Sequence, residues 1–326
     1  MAQQNRDIGI TMGDPSGVGP ELVAALIDIG PASALARSVI FADRIVLERA
    51  FTQRTGRRLP DTVEIVDRGL LSADQAVPGQ PSEAGAQAQV GYLEAAAKYA
   101  NSGQLAAIVT GPVSKTQCKR SGLDFPGQTE FFKSRLGADK VAMLFAGPVV
   151  NVVLATSHVP LTEVSANLGA DGLATTIDLA LAAMERDFGI DEPKIGVLGL
   201  NPHAGEDGLL GSEEADVIGP AIEAAAARHR GKAHFEGPLV PDAAFRREVL
   251  ERVDLLVAMY HDQALIPLKL LDFDHTVNVT IGLPVVRTSP DHGVAYDIAG
   301  QGKARPHSFL TAVARAIEMS ERRAQG

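Results

Sequence analysis

The sequence predicts an α/β protein built on parallel sheet. Short apolar, β-branched runs bounded by Pro, Gly or Asp alternate with Ala-rich helical stretches along almost the whole chain. That alternation is expected of parallel strands covered by helices on both faces. At 326 residues, 45% of them hydrophobic, the chain is long enough for two such domains or one large one. Three histidines, His158, His203 and His261, each follow an apolar run, the place where α/β sheets bind ligands.

The elements follow in order. DIGITMG leads as a strand into the helical ELVAALIDIG, and SVIFAD is the next apolar run. AQVGYLEAAAKYAN reads as a helix before the strand LAAIVTG. NVVLATSHVP, KIGVLGLNPHAGE and DLLVAMYHDQ are the strand runs that end near the three histidines. The helical stretches DGLATTIDLALAAMERDFG and AFRREVLERV precede the second and third of these. No short repeat or low-complexity tract appears, and Gly and Pro mark turns rather than one linker.

Charge and composition narrow the function. A formal net charge of -10 argues against nucleic acid or a membrane surface as partner, so individual Lys and Arg residues become informative. The single cysteine, Cys118, rules out an intramolecular disulfide framework and suits a reducing compartment. MAQQNRDIGITMG lacks a signal core, and no apolar run approaches the roughly 20 residues of a membrane span. A soluble cytoplasmic protein is expected.

Several motifs carry chemistry. ITMGDPSGVGPE clusters Gly13, Gly17 and Gly19 between a strand and a helix but matches neither the Rossmann nor the P-loop pattern. TGPVSK offers Ser114 and Lys115 just past a strand, and FPGQTEFF places Gln128, Thr129 and Glu130 at a helix start. Three imidazoles delivered from separate strand ends can form the three-ligand shell of a divalent ion with one position left open. Neutral imidazole suits zinc, cobalt, nickel or iron and also joins magnesium or manganese sites. His229, His234, His275 and His307 read as ordinary histidines, with His229 and His234 solvated in the polar RHRGKAHFE. His261, Asp262, Lys269, Asn278, Arg287 and His292 crowd MYHDQALIPLK and VNVTIGLPVVRTSPDHG, where Arg287 suits bidentate contact with a phosphate or carboxylate. The loop DHGVAYDIAGQGKARP holds Gly293, Asp297, Gly300 and Gly302, glycines that admit a nucleotide or make turns.

Taken together, ITMGDPSGVGPE, TGPVSK, PGQTEFF, ATSHVPL, NPHAGEDGLLGSEE, GPLVPD, MYHDQALIPLK and NVTIGLPVVRTSPDHG occur in that order across nearly the entire chain. This set resembles the 4-hydroxythreonine-4-phosphate dehydrogenase family of pyridoxal phosphate biosynthesis. HGVAYDIAGQGKARP is also similar to the cofactor loop of isocitrate and isopropylmalate dehydrogenases. The resemblance implies two α/β domains with mostly parallel sheets and an active-site cleft between them. It places residues 1–140 with 263–326 in the first domain, which carries the cofactor loop, and 141–262 in the second, with the metal ligands and the dimer contacts.

The same resemblance implies His158, His203 and His261 as ligands of one zinc, magnesium or cobalt ion at a homodimer interface, shared between subunits. It also implies Thr129, Lys269, Asn278 and Arg287 as substrate contacts, joined here by Gln128. NAD or NADP would be held without a Rossmann fingerprint, at His292, Gly293, Asp297 and Gly300. Two positions depart from the family pattern: Gln128 stands where GHTEFF is usual, and Ser114 where GPVHK is frequent. An amide cannot carry charge near neutral pH, which bears on substrate choice more than on reaction type.

The implied reaction oxidises 4-hydroxythreonine 4-phosphate to 2-amino-3-oxo-4-(phosphooxy)butanoate, which decarboxylates to 3-amino-2-oxopropyl phosphate. From their places beside the ligand strands, Asp262 or Asp242 is expected to take the hydroxyl proton and Lys269 to assist protonation of the enolate. The alternative within enzymes is a paralogous dehydrogenase of 4-phospho-D-threonate or 4-phospho-D-erythronate. A phosphate acyltransferase of distantly related fold would need neither metal nor cofactor loop, and a sugar-phosphate sensor would be expected to carry a DNA-binding or partner module.

Overall fold

The computed structural model describes residues 7–325; the expectation that the chain opens without a signal core falls partly outside them. Among the described residues the chain forms eleven strands: β1 (Asp7–Thr11), β2 (Ser38–Ala42), β3 (Ile65–Asp67), β4 (Leu105–Thr110), β5 (Ala142–Ala146), β6 (Asn151–Leu154), β7 (Lys194–Leu198), β8 (His234–Leu239), β9 (Leu255–Ala258), β10 (Val277–Ile281) and β11 (Val286–Pro290). They fall into two compact units, one running to Asp139 and including Leu283–Ser320, the other Lys140–Gly282 with the residues from Glu321. No helix among them is long and apolar enough to cross a membrane.

In the first unit the strand order is β3-β2-β1-β4-β11, every neighbour parallel. β2 and β11 are buried along their whole length, as strands covered on both faces must be. Helix Glu83–Asn101 begins at Ser82, whose Oγ accepts the Gly85 N–H. Ala86, Ala88, Ala95, Ala96, Ala97 and Ala100 make its buried side small enough to approach the sheet closely, and Tyr92 fills the space between them. The Tyr92 hydroxyl donates to Asp43 Oδ2 at 2.5 Å, so the buried phenol is satisfied.

In the second unit the order is β10-β5-β6-β9-β7-β8. β5 runs antiparallel to both β10 and β6, whereas β6-β9-β7-β8 are parallel. The departure from a purely parallel pattern has a simple cause. Only residues 147–150 separate β5 from β6, too few for the crossover that a parallel pair requires. AFRREVLERV yields a single helical turn, Arg247–Leu250, because its charges leave no continuous apolar stripe.

The core of this unit joins Phe145, Val152 and Leu154 to Leu198, Leu256 and Ala258. Helix His261–Leu271 contributes Ala264, Leu265 and Leu268 to the same core. Residues 263–282, which the resemblance groups with the first domain, therefore pack with the second unit.

Asp187 is a buried anion of this unit. Its side chain is 0% exposed, and the Arg186 and Arg323 guanidinium groups both donate to it, at 2.7 and 2.6 Å. Burial pushes its carboxyl up, but the bonds from Arg323 and Arg186 outweigh that and hold it below the usual range. A depressed folded-state pKa adds stability above the unfolded-state value that is lost as pH falls through the folded one. Asp187→Asn is expected to cost about 3 kcal/mol at pH 7, with a smaller penalty at pH 3. Urea midpoints at the two pH values check this, and an equal penalty at both would contradict it.

Candidate active site

Parallel pairing of β6, β9 and β7 brings their carboxyl ends to one edge of the second unit's sheet. His158 follows β6, His261 opens the helix after β9, and His203 lies in the segment after β7. The rings of His158 and His261 approach to 5.8 Å between centroids, tilted by 42°. Asp262 Oδ1 lies 2.6 Å from His261 Nδ1.

Among the described residues, no three His, Cys, Asp or Glu side chains gather closely enough to hold a metal ion. His158 and His261 come together, and His203 does not join them in the same chain.

His203 begins a left-handed turn. His203, Ala204, Gly205, Glu206 and Asp207 have φ of 53°, 51°, 82°, 44° and 55°. Left-handed backbone costs a non-glycine residue roughly 1–2 kcal/mol, so the turn must be held by its surroundings.

Two side chains that sequence reasoning missed tie the three strand ends together. Thr156 Oγ1 donates to the Met259 carbonyl at 2.7 Å, joining the segment after β6 to the end of β9. Gln263 accepts the Met259 N–H at 2.7 Å and donates to the Gly199 carbonyl at 2.7 Å, joining the end of β9 to that of β7. The only sequence signal was their place within the same motifs as the histidines.

The first unit holds a buried cation of its own. Arg287, on β11, is 3% exposed and donates from Nη2 to Thr110 Oγ1 at 2.6 Å and Gln128 Oε1 at 3.1 Å. Burial lowers its pKa to about 10 against the pull of Glu130, so it stays charged at neutral pH. Gln128 Nε2 also donates to the Gly111 carbonyl at 3.3 Å. An amide suits this place because it accepts from the cation and donates to a carbonyl at once. Thr129 is partly buried in the first turn of helix Gln128–Arg135. Ser114 caps helix Lys115–Arg120, its Oγ accepting the Gln117 N–H.

The loop from Asp291 to Gly302 is pinned to the N-terminal glycine motif. Val18 N–H donates to the Val294 carbonyl at 2.9 Å, Tyr296 Oη to Asp14 Oδ2 at 2.5 Å, and Gly300 N–H to Glu21. A Cβ on Gly17 would sit 2.7 Å from the Val294 carbonyl oxygen, and one on Gly13 2.4 Å from that of Pro112. The motif's glycines thus serve close backbone packing. Burial pushes the Asp14 carboxyl up, opposed by the bonds from Tyr296, Ser16 and Gly17. Burial also raises the Cys118 thiol to about 11, with Asp14 adding to it, which disfavours the thiolate.

The remaining expected residues lie as follows. His292 Nδ1 is 3.1 Å from the Gly293 carbonyl while its Nε2 is buried without a hydrogen-bond partner, as is Asn278 Oδ1. Gly293 has open space where a side chain would begin, and Asp297 is exposed. Lys269 Nζ lies 5.7 Å from the centre of the Phe273 ring, and Asp242 is exposed in the turn after β8. His229, expected to be solvated, instead meets Asp178 at 2.8 Å with its side chain 24% exposed. His275 likewise meets Asp272.

Histidines at the carboxyl edge of parallel strands, with a glycine-bearing loop in place of a Rossmann turn, define an α/β protein with an isocitrate dehydrogenase-like fold. Isocitrate dehydrogenase from Methylococcus capsulatus has that fold, with a TM-score of 0.51 at 17% identity over 98% of this chain and 87% of its own. The family model of the pyridoxal phosphate biosynthetic protein PdxA matches residues 27–316, and the chain belongs to that family.

A 4-hydroxythreonine-4-phosphate dehydrogenase from Desulforapulum autotrophicum is 41% identical over 319 residues, 94% of this chain and 93% of the relative. The crystal structure of the Klebsiella pneumoniae enzyme of that name has a TM-score of 0.85 at 32% identity, covering 98% of this chain and 99% of its own. The chain is an oxidoreductase of pyridoxal phosphate biosynthesis.

Gln263→Leu leaves the Met259 N–H and the Gly199 carbonyl without their partner. The variant is expected to lose about 2 kcal/mol of stability and to speed exchange of the Met259 amide above that of the neighbouring strand. Native-state hydrogen exchange measures it; an unchanged Met259 rate would show that Gln263 does not tie these ends.

Proposed function

We propose that this chain is a cytoplasmic, homodimeric 4-hydroxythreonine-4-phosphate dehydrogenase, using NAD or NADP and one zinc, magnesium or cobalt ion per subunit. It would form 2-amino-3-oxo-4-(phosphooxy)butanoate, which loses carbon dioxide to give 3-amino-2-oxopropyl phosphate. The observation that carries the reading is the pairing of His158 with His261 at adjacent parallel strand ends, in a chain of this family.

The residues fit the groups the reaction needs. The ring centroids of His158 and His261, 5.8 Å apart, suit two imidazoles that would share one ion. Asp262 on His261 Nδ1 leaves Nε2 for the ion, the usual carboxylate–histidine support of a metal ligand. His203 of the partner subunit supplies the third imidazole in this reading. A second copy also suits the apolar surface of Ile266, Leu270 and Phe273, which are 68%, 86% and 49% exposed. His292 Nε2, buried without a partner beside the open Gly293, fits a nucleotide edge.

When bound, a divalent ion acidifies an alcohol and steadies negative charge on oxygen, and a nicotinamide accepts hydride. The chain's own residues do the rest. Arg287, preorganised by Thr110 and Gln128, holds an anionic end of the substrate with Thr129, while Asn278 Oδ1 accepts from it. Asp262 is engaged by His261 and orients that ring, which leaves Asp242 to accept the hydroxyl proton. Lys269 donates a proton to the carbon that loses carbon dioxide.

The test is NAD reduction with 4-hydroxythreonine 4-phosphate beside 4-phospho-D-erythronate, each with and without a chelator. Reduction with the first is expected, falling at least about 100-fold on chelation or in His158→Ala and returning on cobalt addition only in the unsubstituted protein. Preference for the second substrate would move the assignment to the paralogous dehydrogenase. Activity indifferent to both chelator and His158→Ala would remove the metal.

A further inference from the structure

We propose that Glu214 is the positioning residue for His203. The inference rests on the reading of His203 as a metal ligand, and it concerns what holds a left-handed turn that bears an exposed histidine. His203, Glu206, Asp207 and Leu209 are all exposed, so burial does not fix the turn. Glu214 is 8% exposed, and its carboxylate supplies the missing hold.

Its Oε1 accepts the backbone N–H groups of both Leu200 and Asn201, each at 2.8 Å, and its Oε2 accepts from Asn201 Nδ2 at 3.0 Å. The two residues before Pro202 and His203 are thereby fixed from inside the turn. The carboxylate fits there because two positions lack side chains. A Cβ on Gly199 would lie 3.0 Å from Oε1, and one on Gly205 2.7 Å from Oε2. Glu213 steadies the same amide from the other side, accepting from Asn201 Nδ2 at 2.7 Å and from Ser165 Oγ at 2.6 Å.

With N–H donors on both oxygens, Glu214 is engaged by the turn. It also opens the π-helical turn Glu214–Ile218, a local irregularity of the kind found at functional sites. The motif NPHAGEDGLLGSEE therefore joins one ligand to the acid that aims it.

The experiment measures cobalt affinity and the cobalt absorption spectrum of the full-length protein, unsubstituted and as Glu214→Gln, Glu214→Ala and His203→Ala. Amide exchange at Leu200 and Asn201 is followed in the unsubstituted protein and the Glu214 variants. Slow exchange at both amides is expected in the unsubstituted protein. In Glu214→Gln an amide nitrogen would face the Asn201 Nδ2 donor. That variant, folded by circular dichroism, keeps a carbonyl for the two N–H groups but loses the Asn201 Nδ2 bond, and is expected to alter the spectrum and weaken cobalt binding about 10-fold; Glu214→Ala is expected to release both amides and to weaken binding nearer 100-fold. Fast exchange at Leu200 and Asn201 in the unsubstituted protein overturns the proposal whatever the variants do. So does a folded Glu214→Ala protein with unchanged spectrum and affinity while His203→Ala loses cobalt. If His203→Ala binds cobalt normally, the ligand reading fails instead, and the two amides alone decide whether Glu214 orders the turn.

Discussion

The site depends on three parallel strands that deliver their loops to one sheet edge. β6, β9 and β7 are neighbours, so the segments leaving them start within a few strand spacings of one another. Parallel order alone does not fix loops. That is done by side chains reaching backbone across the strand ends, Thr156 to Met259 and Gln263 to both Met259 and Gly199. Each such bond is worth only about 1 kcal/mol net, but together they make the positions of His158 and His261 a property of the sheet rather than of mobile loops.

The first unit solves a different problem. A guanidinium that is 3% exposed has been taken out of water, which is expensive unless its donors are met. Thr110, at the end of β4, and Gln128, opening helix Gln128–Arg135, accept from its Nη2. The result is a charged group held in one orientation by two side-chain acceptors. The glycine motif and the loop from Asp291 to Gly302 share the same economy of space, since Gly13 and Gly17 stand where any side chain would meet a carbonyl oxygen.

Much of this was legible in the sequence because it is local. Alternating apolar runs and Ala-rich stretches expose the strands and helices, and the histidines are placed by the runs they follow. The β5–β6 hairpin was also within reach, since so few residues separate the two strands. What stayed hidden is long-range or conformational. Nothing in NPHAGEDGLLGSEE announces five consecutive left-handed residues, because only one of the five is a glycine. Gln263 and Glu214 act on backbone groups of distant strands, contacts that carry no periodic signature. His229, read as solvated from its polar neighbours, pairs with Asp178, far away in sequence. The separation of His203 from the other two imidazoles within one chain is likewise a matter of tertiary geometry.

The account's central claim is that one cation joins His158 and His261 of one subunit to His203 of the partner subunit. Anomalous diffraction from crystals grown with cobalt tests it most directly. The account predicts a single strong peak per subunit within bonding distance of those three rings. A peak bound elsewhere, or one ligated by His158 and His261 with His203 of both subunits turned away, would contradict it.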